Sequence, residues 1–558
     1  MRKVFVVAAA ILAAVLVFLL VTLPPQPRPA TGALDDAQAG VSVAGAYHVH
    51  STVSDGAGDR EEIARAAARA GLKFVIFTDH GDGTRTPEPP RYAHGVLCVD
   101  AVEISTNGGH YVALDMRPAS YPLGGEAASV IEDVRRLGGF GIAAHPSSTN
   151  EQLGWSDWNA LFDGVEWLNA DSEWRDEPAV RLLRLPFDYL IRPASALTSL
   201  LDRPAAAIAR WDALSSRRPI VALAGHDAHG GIARSAESGW RFALPGIPSY
   251  EASFRAFSLR VIAGAPLSGS PAADARLVLD GIRRGRVFSA IDAIAGPARL
   301  EFTATAGGVS AQMGDALPFD RGVEVVARST IPEGGSLVLI CDGHEIAASP
   351  SGEIRSRPDG PMACRPEVRA PHAPGDPPVP WVVGNAIHLL AAVTEPVGTE
   401  PLYETTLPLD HLDWAVEKDA GSQGSAATEA GAVTMEYQLR PGSRVSQYVA
   451  AAATLAPPVP PYDRILFTAQ SGASMRVSVQ LRFGGGERWV HSVYVEPDAR
   501  RVIVPLSSLV FAGRGAPARP DFRNAASILF VVDLTNARPG TSGRVRISDL
   551  SFGREAVR

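Results

Sequence analysis

At 558 residues the chain is long enough for three or four domains, each with its own core, and 46% hydrophobic with 20% charged residues excludes an intrinsically disordered protein. A net charge of -8 argues against general nucleic-acid coating, which needs a basic surface, though not against a small nucleotide held by metal ions. Three cysteines are too few for a disulfide framework or a thiolate metal site.

Arg2 and Lys3 precede an apolar run from Val4 to Leu23, broken only by Thr22. Twenty helical residues at about 1.5 Å each span roughly 30 Å, the hydrocarbon thickness of a bilayer. Residues 1–23 therefore read as a single-pass membrane anchor, or as a signal that is cleaved to leave a secreted or periplasmic protein. The flanking positive charges stay cytoplasmic, which sends the rest of the chain outward. There Cys341 and Cys364 are free to pair.

Residues 24–42, with Pro24, Pro25, Pro27 and Pro29, read as an extended tether. From 43 to 295 strand and helix patterns alternate, which predicts an α/β domain with parallel strands. Asp59 followed by Glu62 is a capping-box pattern, with Ile63, Ala66, Ala67 and Ala70 at helical spacing and Gly71 as the stop. Val130, Ile131, Val134 and Leu137 mark another amphipathic helix of the same domain. Short apolar runs deliver, in turn, His48 and His50, then Thr78-Asp79-His80, Glu103, His110, Ala144-His145-Pro146 and His226-Asp227-Ala228-His229. Each is expected where a parallel barrel strand meets its following loop, the face on which barrel enzymes build active sites. Residues 296–415 alternate apolar and polar between Gly and Pro and predict a β-sandwich. Residues 416–432, rich in Ala, Gly and Ser, read as a linker, and 433–558 as a second, jelly-roll-like β-sandwich.

Eight of the thirteen histidines lie between His48 and His229. Alternate residues of a strand share a face, so His48 and His50 present two imidazoles together. Imidazoles with Asp and Glu oxygens, and no thiolate, suit Mn, Zn or Fe(II). Carboxylate-bridged ions about 3.5–4 Å apart can generate hydroxide from water and stabilise attacking and leaving oxygens.

The ordered series H-x-H, T-D-H, an isolated Glu, a later His, A-H-P and D-A-H resembles the PHP (polymerase and histidinol phosphatase) superfamily over roughly residues 43–290. The resemblance implies a distorted (β/α)7 barrel and two or three divalent metal ions (Mn, Zn or Fe). It places His48, His50, Glu103 and Asp227 on a first ion, and Glu103, His110 and His145 on a second, with Glu103 bridging. Asp55, His80 and His229 fall on a third. The implied activity is phosphoester hydrolysis by metal-bound hydroxide on a small phosphoester. Asp163-Gly164-Val165-Glu166 to Asn169, Gly285-Arg286-Val287-Phe288 and the appended β-domain are similar to the carbaryl-hydrolase-like subgroup, which makes carboxyl- or carbamate-ester hydrolysis the alternative.

Ala101 and His226 depart from the family pattern, which often has Gly and Ser there. His226 adds a titratable group that protonates a leaving group or merely bonds a loop. Asn169 and Glu166 either line the pocket or cap the next element. Arg85, Arg91, Arg175 and Arg234 are nearby in sequence and either bind a phosphate or are surface arginines with no specific role. His94 sits in a Pro-rich loop as a lid or surface residue, and Trp155, Trp158, Trp167 and Trp174 are packing or pocket wall. The C-terminal module resembles a carbohydrate-binding jelly roll through Arg488-Trp489 to Tyr494, Val504-Pro505-Leu506 and Ile547-Ser548-Asp549-Leu550, which implies a glycan partner. A non-catalytic surface scaffold is the remaining alternative.

Overall fold

The computed structural model describes residues 2–32, 34, 41–175, 177–232, 244–391, 403–443, 445–513 and 517–555. They form two compact units: residues 1–81, 87–116 and 138–393, and residues 82–86, 117–137 and 394–558. The architecture is multidomain, an α/β N-terminal region with β-sandwich structure toward the C-terminus.

The first unit is organised by ten strands: β1 (Val41–Val49), β2 (Phe74–Phe77), β3 (Val96–Asp100), β4 (Val102–Thr106), β5 (Gly109–Leu114), β6 (Phe140–Ala143), β7 (Gly164–Asn169), β8 (Val221–Gly225), β9 (Ser258–Ala263) and β10 (Val287–Ala290). β1, β2 and β3 pair in parallel, as do β6, β7 and β8. The two sheets meet at bridges between Val49 and Ala228 and between His80 and Glu103. The first meeting is tight, since His50 N donates to Ala228 O (3.0 Å) and Ala228 N to His48 O (3.2 Å).

The strands are not all parallel as the alternation predicted. β4–β5 is an antiparallel hairpin and β5 also runs antiparallel to β6. Asn107 and Gly108 leave room only for a two-residue turn, whereas a parallel crossover needs a dozen residues or more. Glu103 and His110 therefore sit near the starts of β4 and β5, not at parallel-strand ends.

The predicted helix after Asp59 is present as Arg60–Arg69. The Asp59 side chain accepts from Glu62 N, the Glu62 side chain accepts from Asp59 N, and Ile63, Ala66 and Ala67 are buried in one core with Val75 and Phe77. Three other expectations are corrected. Arg28–Gly32, inside the predicted tether, is a strand paired with Ala295–Gly296 and Glu324–Pro332. Residues 296–391 do not stand apart from the α/β region, because Val382–Gly384 pairs with β10 and continues its sheet. The predicted linker holds strands Trp414–Lys418 and Gln423–Glu429, paired within the C-terminal sandwich. In both misread stretches Pro, Ala or Gly composition reports local stiffness or small size, while an edge strand is decided by the neighbour that supplies its hydrogen bonds.

The N-terminal apolar run forms the helix Arg2–Val21. Several of its side chains (residues 2–4, 8, 9 and 11) are outside the described set, and on the described residues no helix is long and apolar enough to cross a membrane. Cys341 and Cys364 form a disulfide, which hints at an extracytoplasmic location.

The second unit packs two six-stranded sheets around a core that includes Ile465, Phe467, Val477, Val479 and Phe530. The helix Ala127–Arg136, expected in the barrel, belongs to this unit. Its buried Asp133 meets Arg476 of strand Met475–Phe483 at 2.7 Å. Periodicity showed that this helix buries one face, not which partner covers it. Trp489 and Tyr494, in a stretch that carries the jelly-roll resemblance, are interior: Trp489 packs on Phe511 and Phe522, and Arg136 covers Tyr494.

In the first unit the α/β region and the following β-segment share a buried ionic cluster. Arg365 of strand Met362–Arg369 meets both carboxylate oxygens of Asp212 (2.7 and 3.0 Å) and one of Glu367 (3.2 Å), and Arg203 also pairs with Glu367. Asp212→Ala is expected to destabilise this unit by about 3–5 kcal/mol, because it leaves a buried guanidinium short of a partner. Denaturant unfolding followed by tryptophan fluorescence measures the shift.

Candidate metal centre

β1 supplies His48 and His50, with ring centroids 5.2 Å apart. The pairing register breaks between Ala46 and Val49, and His48 takes a left-handed φ of 62°. His145 (φ 30°) and Asp227 (φ 47°) are also left-handed. Such conformations cost about 1–3 kcal/mol in a residue with a Cβ and persist only where the surroundings enforce them. Three of the nine predicted donors are held this way.

Glu103 lies at the centre. Its Oε2 is 3.2 Å from His48 Nε2, His50 Nε2 and His80 Nδ1, while its Oε1 is 2.9 Å from both His110 Nδ1 and His145 Nε2. Asp227 Oδ1 approaches His50 Nε2 at 3.2 Å and His48 Nε2 at 3.5 Å. Asp55 reaches His229 at 3.3 Å, His50 at 3.4 Å and His80 at 3.6 Å. The structure thus brings all nine predicted residues together. Four donor groups have ligand atoms within 4.8 Å of one another: His50-Asp55-His80-His229, His48-Glu103-His145, His48-His50-Asp227 and His80-Glu103-His110.

These buried groups could hold metal ions, and the orphaned atoms fit that occupant. His48 Nε2, His50 Nε2, Glu103 Oε2 and His145 Nδ1 are buried without a hydrogen-bond partner. Each such atom costs about 1–3 kcal/mol unless something satisfies it. All are nitrogen or oxygen donors suited to Mn, Zn or Fe(II).

The electrostatics agree. Burial pushes the Glu103 carboxyl up, but the imidazoles of His48, His110 and His80 outweigh it and hold it well below the usual carboxylate range. Asp227 is held low in the same way by His48 and His50. Burial lowers His80 and His229, yet Glu103 and Asp55 raise His80 to about 9, and Asp55 and Asp227 raise His229 to about 10. The carboxylates thus stay ionised, and protons held on His48, His80 and His229 balance them.

Around the donors sits a second set that the sequence reading left open. Glu166 is fully buried: its Oε1 is 2.6 Å from His48 Nδ1, and its Oε2 accepts from His145 N (2.8 Å) and Asn169 Nδ2 (2.8 Å). With Glu166 Oε1 as the acceptor, His48 Nδ1 is the donor, which leaves Nε2 as the ligand atom. Asn169 Nδ2 is also 3.3 Å from Asp227 Oδ2, so Asn169 orients donors and is not among the residues lining the cavity. Gly225 makes room for this arrangement, since a Cβ there would stand 2.4 Å from Glu166 Oε1. Asp79, inside the T-D-H motif, accepts from Ser51 N (2.7 Å), Ser54 Oγ (2.9 Å) and Arg60 Nη2 (3.0 Å), fixing the loop that carries Asp55.

Above the donors opens a cavity of about 110 Å³ with a mouth to solvent. Asp55, His80, Glu103, His110, His145, Asp227 and His229 line it, with an apolar wall from Leu153, Trp174, Leu197, Leu200, Leu201 and Phe257. Arg175 reaches it, paired with Asp171 (2.6 Å) and stacked over Trp174. His226 also lines it, but its ring stacks on Phe257 and its nitrogens meet the carbonyls of Tyr47 (3.2 Å) and Phe257 (2.9 Å). Burial lowers it to about 4, so it is neutral near pH 7 and serves the loop-bonding role. Arg91 and His94 turn to Glu61. Trp155, Trp158 and Trp167 pack away from the cavity, and only Trp174 of the four walls it. Arg234 lies outside the described residues.

No protein-family model and no curated protein matches the chain. Among solved structures it is similar to the family 11 carbohydrate-binding module of the cellulosomal cellulase Lic26A-Cel5E of Clostridium thermocellum, at 17% identity and TM-score 0.23 over 29% of this chain and 98% of that one. It is similar to a mutant family 29 carbohydrate-binding module at 11% identity and TM-score 0.19, over 27% of this chain and 91% of that one. A third match is PfGH50B, at 12% identity and TM-score 0.21 over 28% of this chain and 24% of that one.

Two outcomes are expected. Ligation requires neutral imidazoles, so filling the site at pH 7 should release protons from His80 and His229, and affinity should rise with pH toward about 9–10. Metal titration in weakly buffered solution with a pH indicator reads this directly. Glu166→Gln should weaken metal affinity about 10–100-fold with the fold retained, by chelator competition, because the amide can leave His48 in the wrong tautomer.

Proposed function

We propose that this chain is a metal-dependent hydrolase, first of all a phosphoesterase, in which His48, His50, Asp55, His80, Glu103, His110, His145, Asp227 and His229 hold two or three Mn, Zn or Fe ions. The observation that carries the reading is the convergence of five of these imidazoles on the two oxygens of the buried Glu103. The ordered motifs shared with the PHP superfamily support it from sequence. Bound ions in such a site polarise the ester and activate water.

The chain's own residues supply the rest. Glu103 links the two rows of imidazoles and fixes their spacing. Glu166 and Asn169 hold His48 and Asp227 in register. Trp174, Leu197, Leu200 and Phe257 exclude water from one side of the cavity, which strengthens every electrostatic interaction on the other. Arg175 presents a guanidinium for an anionic substrate group.

The apolar wall favours a second reading, hydrolysis of a carboxyl or carbamate ester with an apolar substituent, because that substrate needs one polarised oxygen and a hydrophobic seat. In either case the N-terminal helix serves as a membrane anchor and the catalytic part lies outside the cytoplasm, in keeping with the Cys341–Cys364 disulfide.

Full-length protein loaded with Mn or Zn should hydrolyse p-nitrophenyl phosphate or a phosphodiester in preference to p-nitrophenyl acetate, and a chelator should abolish turnover. Ester-selective turnover would move the assignment to the second reading. His48→Ala and Asp227→Ala should each lose bound metal by elemental analysis and more than about 100-fold in rate. Full activity and metal content in both variants would sink the hydrolase site.

A further inference from the structure

The helix Ala179–Ile191 presents large apolar side chains to solvent: Leu183 is 81% exposed, Leu190 82% and Ile191 44%. Leu183, Phe187 and Leu190 recur at i, i+4 and i+7 and form one stripe on the helix. Its other face is tied to the barrel. Tyr189 Oη accepts from Ser249 N at 2.8 Å and donates to Ser249 Oγ at 3.3 Å.

The helix also grips the end of the N-terminal helix. Arg184 Nη2 donates to the main-chain oxygens of Leu19 (3.4 Å) and Thr22, and Arg192 Nη1 to that of Pro24 at 2.6 Å. Near this junction the N-terminal helix exposes Val17, Phe18, Leu20 and Val21. Two sets of exposed apolar side chains thus lie on helices pinned together at residues 19–24. Water does not favour that arrangement, while a bilayer boundary does: apolar residues on both helices enter the acyl region, and the arginines remain at headgroup level.

We propose that the helix Ala179–Ile191 is a lipid-contact surface that lies in the membrane interface beside the anchor, with Leu183, Phe187 and Leu190 inserted among the acyl chains. The inference rests on the anchor reading above. It gives the barrel a fixed seat on the membrane in place of a free tether. The elements before and after this helix supply Trp174, Arg175, Leu197 and Leu200 to the cavity, so the seat adjoins the cavity wall in sequence.

The test uses the full chain in phosphatidylcholine–phosphatidylglycerol vesicles, with a nitroxide on Leu183→Cys or Leu190→Cys and on the exposed reference Asp359→Cys. Cys98 is buried and Cys341 is paired with Cys364, so the introduced thiol takes the label. Both leucines are largely exposed, so labelling leaves the packing intact. In vesicles, the ratio of oxygen to nickel-chelate collisions at 183 and 190 should rise several-fold above that at 359. Equal ratios in protein that floats with the vesicles would overturn the lipid-contact surface while leaving the anchor in place. Protein that does not float with the vesicles would overturn the anchor and, with it, this inference.

Discussion

A buried carboxylate facing two ways is the constraint on which the centre depends. Glu103 is nearly inaccessible to solvent, and a lone charge there would be driven to neutrality. It stays ionised because imidazoles approach each oxygen separately: His48, His50 and His80 on one side, His110 and His145 on the other. Those imidazoles come from β1, β2, β5 and β6 or the residues just past their ends, so the two sheets have to meet for the charge to be tolerated. That meeting is made by the backbone bonds that join His48 and His50 to Ala228, and by the bridge between His80 and Glu103.

The same economy governs the surrounding polar groups. Glu166 is buried and serves His48, His145 and Asn169 at once. Asp79 gathers Ser51, Ser54 and Arg60 into one cluster beneath the loop of Asp55. The left-handed backbone at His48, His145 and Asp227 is sustained by these neighbours. Local strain at three donors is thus offset by a hydrogen-bonded shell that leaves their ligand atoms free.

Electrostatics and shape divide the cavity between two kinds of chemistry. One side is a row of nitrogen and oxygen donors, and the other is leucine, tryptophan and phenylalanine. A polar reacting group and an apolar substituent can be seated together there. His226 illustrates how context overrides residue type: a histidine beside the donors is held neutral by burial and engaged with main-chain carbonyls.

The sequence by itself marked the candidate donors, because ligand chemistry restricts the residue types and most of them lie beside a short apolar run that is visible as such. It also marked the helix after Asp59, whose capping box is a local signal. What it could not show were features decided by distant partners. The β4–β5 hairpin reversed the expected strand direction around Glu103 and His110. Arg28–Gly32 and 414–429 became strands because neighbours supplied their hydrogen bonds. The helix Ala127–Arg136 found its partner in Arg476, more than three hundred residues away in the chain. The role of Glu166 was hidden for the same reason: an isolated glutamate on an apolar strand says nothing until tertiary structure sets His48 2.6 Å from it. Residue chemistry is written locally, whereas pairing, burial and orientation arise only when separate segments meet.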